Sequence, residues 1–163
     1  MTSRIIVERV SVTSSRPFEI VVAALEAVVG RPNMAEFNKE IGSATSFGAM
    51  QQTIQRALGT SGFMEFIRFD LGSILRRESG RQGPKVLRLV IGNPLIMKEM
   101  VKHVADAGSY APVTILIDER PDGVHLSYDK MASFLEGYGN PDALKVAREL
   151  DSRVEALLTE AAG

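Results

Sequence analysis

The sequence predicts an α+β domain in which helices cover one face of a mostly antiparallel β-sheet. Apolar residues alternate with polar ones in several short segments, which is typical of strands, and recur at helical spacing in a few longer ones. The predicted strands cluster beside a few long helices, and this grouping favours an α+β architecture.

The first third of the chain predicts a strand, a helix and a helical hairpin. Residues 4–14 alternate between apolar and polar side chains and predict the first strand. Pro17 suits the start of the helix that follows, and Gly30 suits its end. Residues 31–62 predict two short helices, the first beginning at Asn33, and we interpret this hairpin as an insertion.

The rest of the chain supplies the remaining strands and helices. Strands are predicted at residues 63–69, 86–91, 113–117 and 124–128. Asp70 is expected to cap a short helical turn. Asn93 and Asn140 each precede a proline, a pairing that predicts helix starts, and the helix after Asn93 is expected to end at Gly108. Residues 118–123 are expected to form the rather long loop of a hairpin.

Composition limits the class of protein. The chain of 163 residues suits one domain with a full core, and we treat residues 1–163 as a single domain. It has no cysteine, which excludes disulfides and thiolate metal sites. A formal charge of −1 argues against general binding to nucleic acid or to an anionic membrane. No apolar run is long enough to span a bilayer and no signal peptide is evident, so a cytoplasmic protein is expected.

Several motifs in the second half of the chain occur together. They are Gly92-Asn93-Pro94 after a strand, Ala111-Pro112 before an apolar strand, Asp122-Gly123 in a hairpin and Ser127-Tyr128 at a strand end. This set resembles domain-of-unknown-function family 302, most closely over about residues 85–135. The resemblance implies a TATA-binding-protein-like fold with a β-α-β(4)-α pattern, a homodimer and a bacterial-type protein.

Two features depart from that family. An Ile-Asp-His triplet is common there after the second strand, whereas this chain has Phe69-Asp70-Leu71, so the aspartate fits and the histidine does not. The helical pair at residues 31–62 is longer than the link expected in the family, and no family property is transferred to it.

Five residues are candidates for ligand binding. Gly92 and Asn93 form a helix start that would offer free amides to an anion, with Arg88 adding charge. The alternative is a plain helix cap at Asn93. Tyr128 and Ser127 would donate hydrogen bonds to a ligand, and the alternative for Tyr128 is a half-buried aromatic at a sheet edge. Tyr110 and Tyr138 lie in loops and are possible residues of a pocket mouth.

No cofactor or metal is predicted, because His103 and His125 lack the spacing of metal ligands. The first hypothesis is a homodimer that binds a small anionic or amphipathic molecule between sheet and helices, near Gly92, Tyr128 and the hairpin. The second is an enzyme acting on a small metabolite, with Tyr128 as acid and Asp70 as a base or orienting group. The third is a structural or interaction domain without a ligand.

Overall fold

The computed structural model describes Thr2 and residues 4–163. In this part of the chain the strands are β1 (Arg9–Ser14), β2 (Met64–Asp70), β3 (Val86–Gly92), β4 (Val113–Arg120) and β5 (Gly123–Asp129). The α-helices are α1 (Phe18–Val28), α2 (Met34–Ser43), α3 (Phe47–Ala57), α4 (Leu71–Ser79), α5 (Pro94–Val101), α6 (Met131–Leu135) and α7 (Pro141–Ala162). Short 3₁₀ segments lie at Ala105–Ser109 and Glu136–Tyr138.

The strands form one antiparallel sheet in the order β1-β5-β4-β3-β2. Strands β1 and β2 are its edges, and β4 lies in the middle. The predicted α+β class with an antiparallel sheet is confirmed. The four strands of the predicted β-α-β(4)-α pattern are not consecutive along the chain, because α4 lies between β2 and β3 and α5 lies between β3 and β4. The TATA-binding-protein-like designation of this fold stays a prediction.

One face of the sheet carries the main hydrophobic core. Strand side chains alternate, so every second residue of β3, β4 and β5 points to the same side. The residues on that side are buried against α1, α5 and α7: Leu87, Leu89, Ile91, Val113, Ile115, Ile117, Val124, Leu126 and Tyr128. Of the helices in residues 2 and 4–163, none combines the length and apolarity that crossing a membrane requires.

In the described part of the chain, no helix layer covers the opposite face of the sheet, and we call it the open face. The strand register aligns its side chains in rows across the sheet. One row contains Phe69, Arg88, Leu116, Ser127 and Ser11, and the next contains Ile67, Val90, Thr114, Asp129 and Arg9. Most of these side chains are exposed or half-buried, which leaves polar and apolar groups together at a surface.

Helices α2 and α3 form the predicted helical hairpin and pack around a small second cluster. Phe37, Ile54 and Met64 are its buried members. The hairpin is joined to the sheet at a close crossing of two glycine backbones. Both Gly30 and Gly59 donate their N–H groups to the carbonyl oxygen of Phe63, each at 2.9 Å.

The predicted start of β1, the predicted β4–β5 loop and the predicted end of α5 were wrong. Strand β1 begins at Arg9 and not at residue 4. Its neighbour β5 ends at Asp129, opposite Arg9, and beyond the backbone hydrogen bond from Lys130 to Glu8 the described residues provide no strand for residues 4–7 to pair with. The β4–β5 connection is a tight turn, since pairing continues to Arg120 and Gly123. Helix α5 ends at Val101, and the chain then forms a 3₁₀ segment that extends past the predicted stop.

Helix α4 is longer than the single turn expected after Asp70. The predicted cap itself is present, because the Asp70 carboxylate accepts a hydrogen bond of 2.9 Å from the Ser73 N–H. The caps predicted at Asn93 and Asn140 are present too, and they accept from Leu95 and Ala143 respectively.

Candidate ligand-binding site

A trough of about 450 Å³ lies on the open face, and we call it the open-face trough. Its floor consists of side chains from β3, β4 and β5: Arg88, Val90, Thr114, Leu116 and Ser127. Its volume falls within the range of small-molecule sites, about 300–1,000 Å³. The floor therefore combines two apolar side chains with one charge and two hydroxyl groups.

Arg88 supplies the positive charge of the floor. Its Nη2 atom lies 3.5 Å from the Thr114 hydroxyl, and its guanidinium lies 5.8 Å from the centre of the Phe69 ring. Among the described residues, no carboxylate lies within ion-pair distance of Arg88. Its fork of N–H donors is thus available to an anion at the surface of the sheet.

The rim of the trough on the β1 side is an ion pair between Arg9 and Asp129. Arg9 donates to both oxygens of the Asp129 carboxylate, at 2.6 and 2.9 Å. This bond and the carboxylate charge raise the pKa of Arg9. Because Asp129 neutralises Arg9, the charged side chains of the trough leave one net positive charge, on Arg88.

An aromatic pair forms the wall at the end where β4 begins and β5 stops. The rings of Tyr110 and Phe134 are stacked with centroids 4.6 Å apart and planes 11° apart. The hydroxyl of Tyr110 lies 3.0 Å from that of Tyr138, which ties the wall to the 3₁₀ segment after α6. Tyr110 therefore does line a pocket, whereas Phe134 was not singled out from the sequence.

Gly92 and Asn93 lie apart from the trough, at the start of α5. Both groups of the Asn93 side-chain amide make a hydrogen bond within the protein, since the oxygen accepts from the Leu95 N–H at 2.9 Å and the NH₂ group donates to the Gly62 carbonyl at 3.0 Å. The neighbouring slot has only about 90 Å³ and is lined mainly by apolar side chains such as Phe66, Met97 and Leu150. The geometry is that of a helix cap beside an apolar slot.

Tyr128 points to the covered face, because it alternates with Ser127 along β5. It is 1% exposed, so the half-buried edge position expected for it is wrong. Its hydroxyl donates to the Asp151 carboxylate at 2.6 Å. Burial, followed by the charge and hydrogen bond of Asp151, raises the pKa of Tyr128.

Asp151 is a buried carboxylate that was not predicted as a functional or structural residue from the sequence. Its two oxygens also accept the backbone N–H groups of Met131 and Ala132, at 2.7 and 3.0 Å. These are the first residues of α6, so Asp151 fixes the helix that carries Phe134. A signal existed, since Asp151 interrupts the apolar stripe of α7 at a core position.

The structure thus brings Arg88 and Ser127 into one trough and separates them from Gly92, Asn93 and Tyr128. Asp70 is also far from Tyr128, because three strand spacings, about 14 Å, separate β2 from β5. Ligand binding by any of these residues stays a prediction.

The two histidines lie in unrelated places. His125 is on the open face and contacts the Asp122 carboxylate at 2.9 Å, while His103 follows the end of α5. Within residues 2 and 4–163, no group of three or more His, Cys, Asp or Glu side chains is arranged to hold a metal ion.

Fold and site together define a two-layer α+β domain with an uncovered sheet face and an arginine-containing trough. A family model described as "Domain of unknown function DUF302" matches residues 37–161. This match covers more than half of the chain, and the chain belongs to that family. The family resemblance read from the motifs is therefore confirmed.

A solved structure agrees with the fold. The crystal structure of an uncharacterized conserved DUF302 protein from Bacillus stearothermophilus superposes with a TM-score of 0.65 at 14% sequence identity. The match covers 94% of this chain and 97% of that one. Among curated proteins, none matches the chain.

Proposed function

We propose that this protein binds a small amphipathic anion in the open-face trough. The observation that carries the proposal is Arg88, a guanidinium without a carboxylate partner among the described residues, set between hydroxyl groups and apolar side chains. A charge-assisted hydrogen bond from Arg88 would hold the anionic group. Val90 and Leu116 would contact the apolar part of the ligand.

Amide chemical shifts measured during titration with simple monoanions such as hexanoate test this proposal. Shifts are expected at Arg88, Thr114 and Ser127, with smaller changes at Asn93 in the apolar slot. Arg88→Gln is expected to weaken binding roughly tenfold or more, since hydrogen bonds to charged groups contribute about 1.5–3 kcal/mol.

Arg77→Gln is the matched control, because Arg77 is an exposed arginine of α4 that does not line the trough. Equal affinities of Arg88→Gln and Arg77→Gln would overturn the proposal, as would the absence of any shift at the trough. Shifts confined to Asn93 would move the site to the slot beside α5.

We also propose that the chain forms a homodimer. Support comes from four large apolar side chains with exposed fractions of 40–63% on the edge strand β2 and on α4: Ile67, Phe69, Ile74 and Leu75. Exposed apolar surface of this kind marks contact sites. Native mass spectrometry would report the subunit number and any co-purifying small molecule, and a monomer at micromolar concentration would contradict the proposal.

A further inference from the structure

The net charge of the open-face trough determines the charge of the anion that it favours. The charged lining consists of Arg88, Arg9 and Asp129, and the latter two are already paired with each other. One positive charge therefore remains for the ligand. A dianion such as a phosphate monoester would leave one negative charge without a positive partner in this lining, so the balance favours a monoanion.

The wall of the trough indicates the shape of the apolar part. Tyr110 and Phe134 are stacked and held in place from both sides. Tyr110 bonds to Tyr138, and Phe134 belongs to α6, whose first N–H groups are fixed by the buried Asp151. A rigid pair of rings is a preorganised partner for another ring in offset-stacked or edge-to-face geometry.

The strand register gives the distance between the two features. Arg88 lies in the row of Leu116 and Ser127, and the row of Val90 and Thr114 lies between it and the aromatic wall. Successive rows on one face are about 7 Å apart along the strands. A ligand that spans this distance needs a few atoms between its ring and its anionic group.

We infer that the ligand is a monocarboxylate with an aromatic ring on a short connecting chain, whose ring contacts the Tyr110–Phe134 wall while its carboxylate binds Arg88. This inference rests on the proposed function and narrows it to one chemical class. Val90 and Leu116 lie beneath the connecting chain. The carboxylate also faces the hydroxyl groups of the trough floor.

Three matched probes test the inference: 4-phenylbutyrate, its uncharged amide 4-phenylbutyramide, and its saturated analogue 4-cyclohexylbutyrate. Dissociation constants are measured by NMR titration at neutral pH. 4-Phenylbutyrate is expected to bind at least tenfold more tightly than the amide. It is also expected to bind roughly 2- to 10-fold more tightly than the cyclohexyl analogue, as aromatic pairs contribute about 0.5–1.5 kcal/mol.

Phe134→Leu is expected to abolish the preference for the phenyl ring and to leave the preference for the carboxylate. Tyr110→Leu provides a second variant of the same wall, in case one of them fails to fold. Phe47→Leu is the control, since Phe47 is an exposed aromatic of α3 that does not line the trough.

The outcomes separate this inference from the proposed function. Equal affinity of the phenyl and cyclohexyl acids, with the amide still weaker, would overturn the aromatic class and leave anion binding intact. An equally tight amide would overturn the role of the carboxylate. If none of the three probes shifted the amides of the trough, both proposals would fall.

Discussion

Asp151 is buried, with only 2% of its surface exposed, and its carboxylate accepts three hydrogen bonds. One comes from the Tyr128 hydroxyl and two from the backbone at the start of α6. Satisfied in this way, a buried carboxylate is tolerated in a core. It joins β5, α6 and α7 at one point, on the opposite side of the sheet from the trough.

Asp151→Ala is therefore expected to be strongly destabilising. The change removes the acceptor of the Tyr128 hydroxyl and of the part-buried Ala132 N–H, and it leaves the Met131 N–H only its longer bond of 3.2 Å to the Tyr128 hydroxyl. The expected loss is about 3 kcal/mol or more of the free energy of unfolding. Urea denaturation measures it. Glu149→Ala, at an exposed position of the same helix, is the control and should change stability by no more than about 0.5 kcal/mol. A loss at Asp151 as small as that of the control would contradict this role.

Tyr128 predicts a specific loss of stability in alkali. Its pKa is raised above the ordinary value of 10.0, so the unfolded chain releases the phenolic proton at a lower pH than the folded chain does. Stability from this group is complete below pH 10 and falls as the pH rises further. The expected loss is about 1.4 kcal/mol between pH 9 and pH 11.

Comparison with Tyr128→Phe isolates this effect. The pKa values of Lys130 and Tyr138 are also raised, but both groups are present in the two proteins and cancel in the difference. The variant should begin about 1–2 kcal/mol less stable at pH 8, and the gap should narrow towards pH 11. A stability difference between the two proteins that stays constant with pH would show that the pKa of Tyr128 is the same in the folded and unfolded chain, and would contradict the prediction.

At the scale of elements, the attachment of the α2–α3 hairpin depends on two glycines. A Cβ atom placed on Gly30 would lie 1.9 Å from the Ala57 carbonyl oxygen, and one on Gly59 would lie 2.1 Å from that of Val28. Both contacts are with backbone, which cannot turn away as a side chain would. Only residues without a Cβ allow the two segments to cross at this distance.

Gly30→Ala is expected to cost about 3 kcal/mol or more, because the crossing segments must separate and lose their shared bonds to Phe63. Thermal unfolding followed by circular dichroism measures the change. Gly42→Ala is the control: a Cβ there meets no atom within 4 Å, and alanine in α2 should add up to about 1 kcal/mol. Similar midpoints for Gly30→Ala and the unchanged protein would contradict the close crossing.

Elements with a local signal were predictable from sequence, and those set by tertiary contacts were not. The caps at Asn33, Asn93 and Asn140 follow from side-chain chemistry within one turn, and all three are present. The start of β1 depends instead on how far β5 extends opposite it. For the site, Arg88 was predictable as a charged residue that interrupts a nearly continuous apolar strand, but it was expected to add charge at Gly92 and Asn93 and instead lies in the trough. Phe134 joins the trough only through the position of α6.

At the scale of the whole molecule, the buried apolar residues that the structure describes form two separate clusters. The main one lies between the sheet and helices α1, α5 and α7, while the smaller one lies between α2, α3 and the edge strand β2. Among the described residues, the small cluster has only three buried members, Phe37, Ile54 and Met64, so few contacts hold the hairpin closed. Such a unit is expected to open by itself, without unfolding of the sheet.

Native-state hydrogen exchange of two matched variants tests this independence. Ile115→Ala weakens the main cluster, which persists when only the hairpin opens. It should therefore lower the opening free energy of β4 amides by about 2–5 kcal/mol and leave that of the α2 and α3 amides unchanged. Ile54→Ala weakens the closed hairpin itself, so it should lower the opening free energies of both regions. A molecule that unfolds as one cooperative unit would show equal losses in both regions for both variants, and that result would reject a separately opening hairpin.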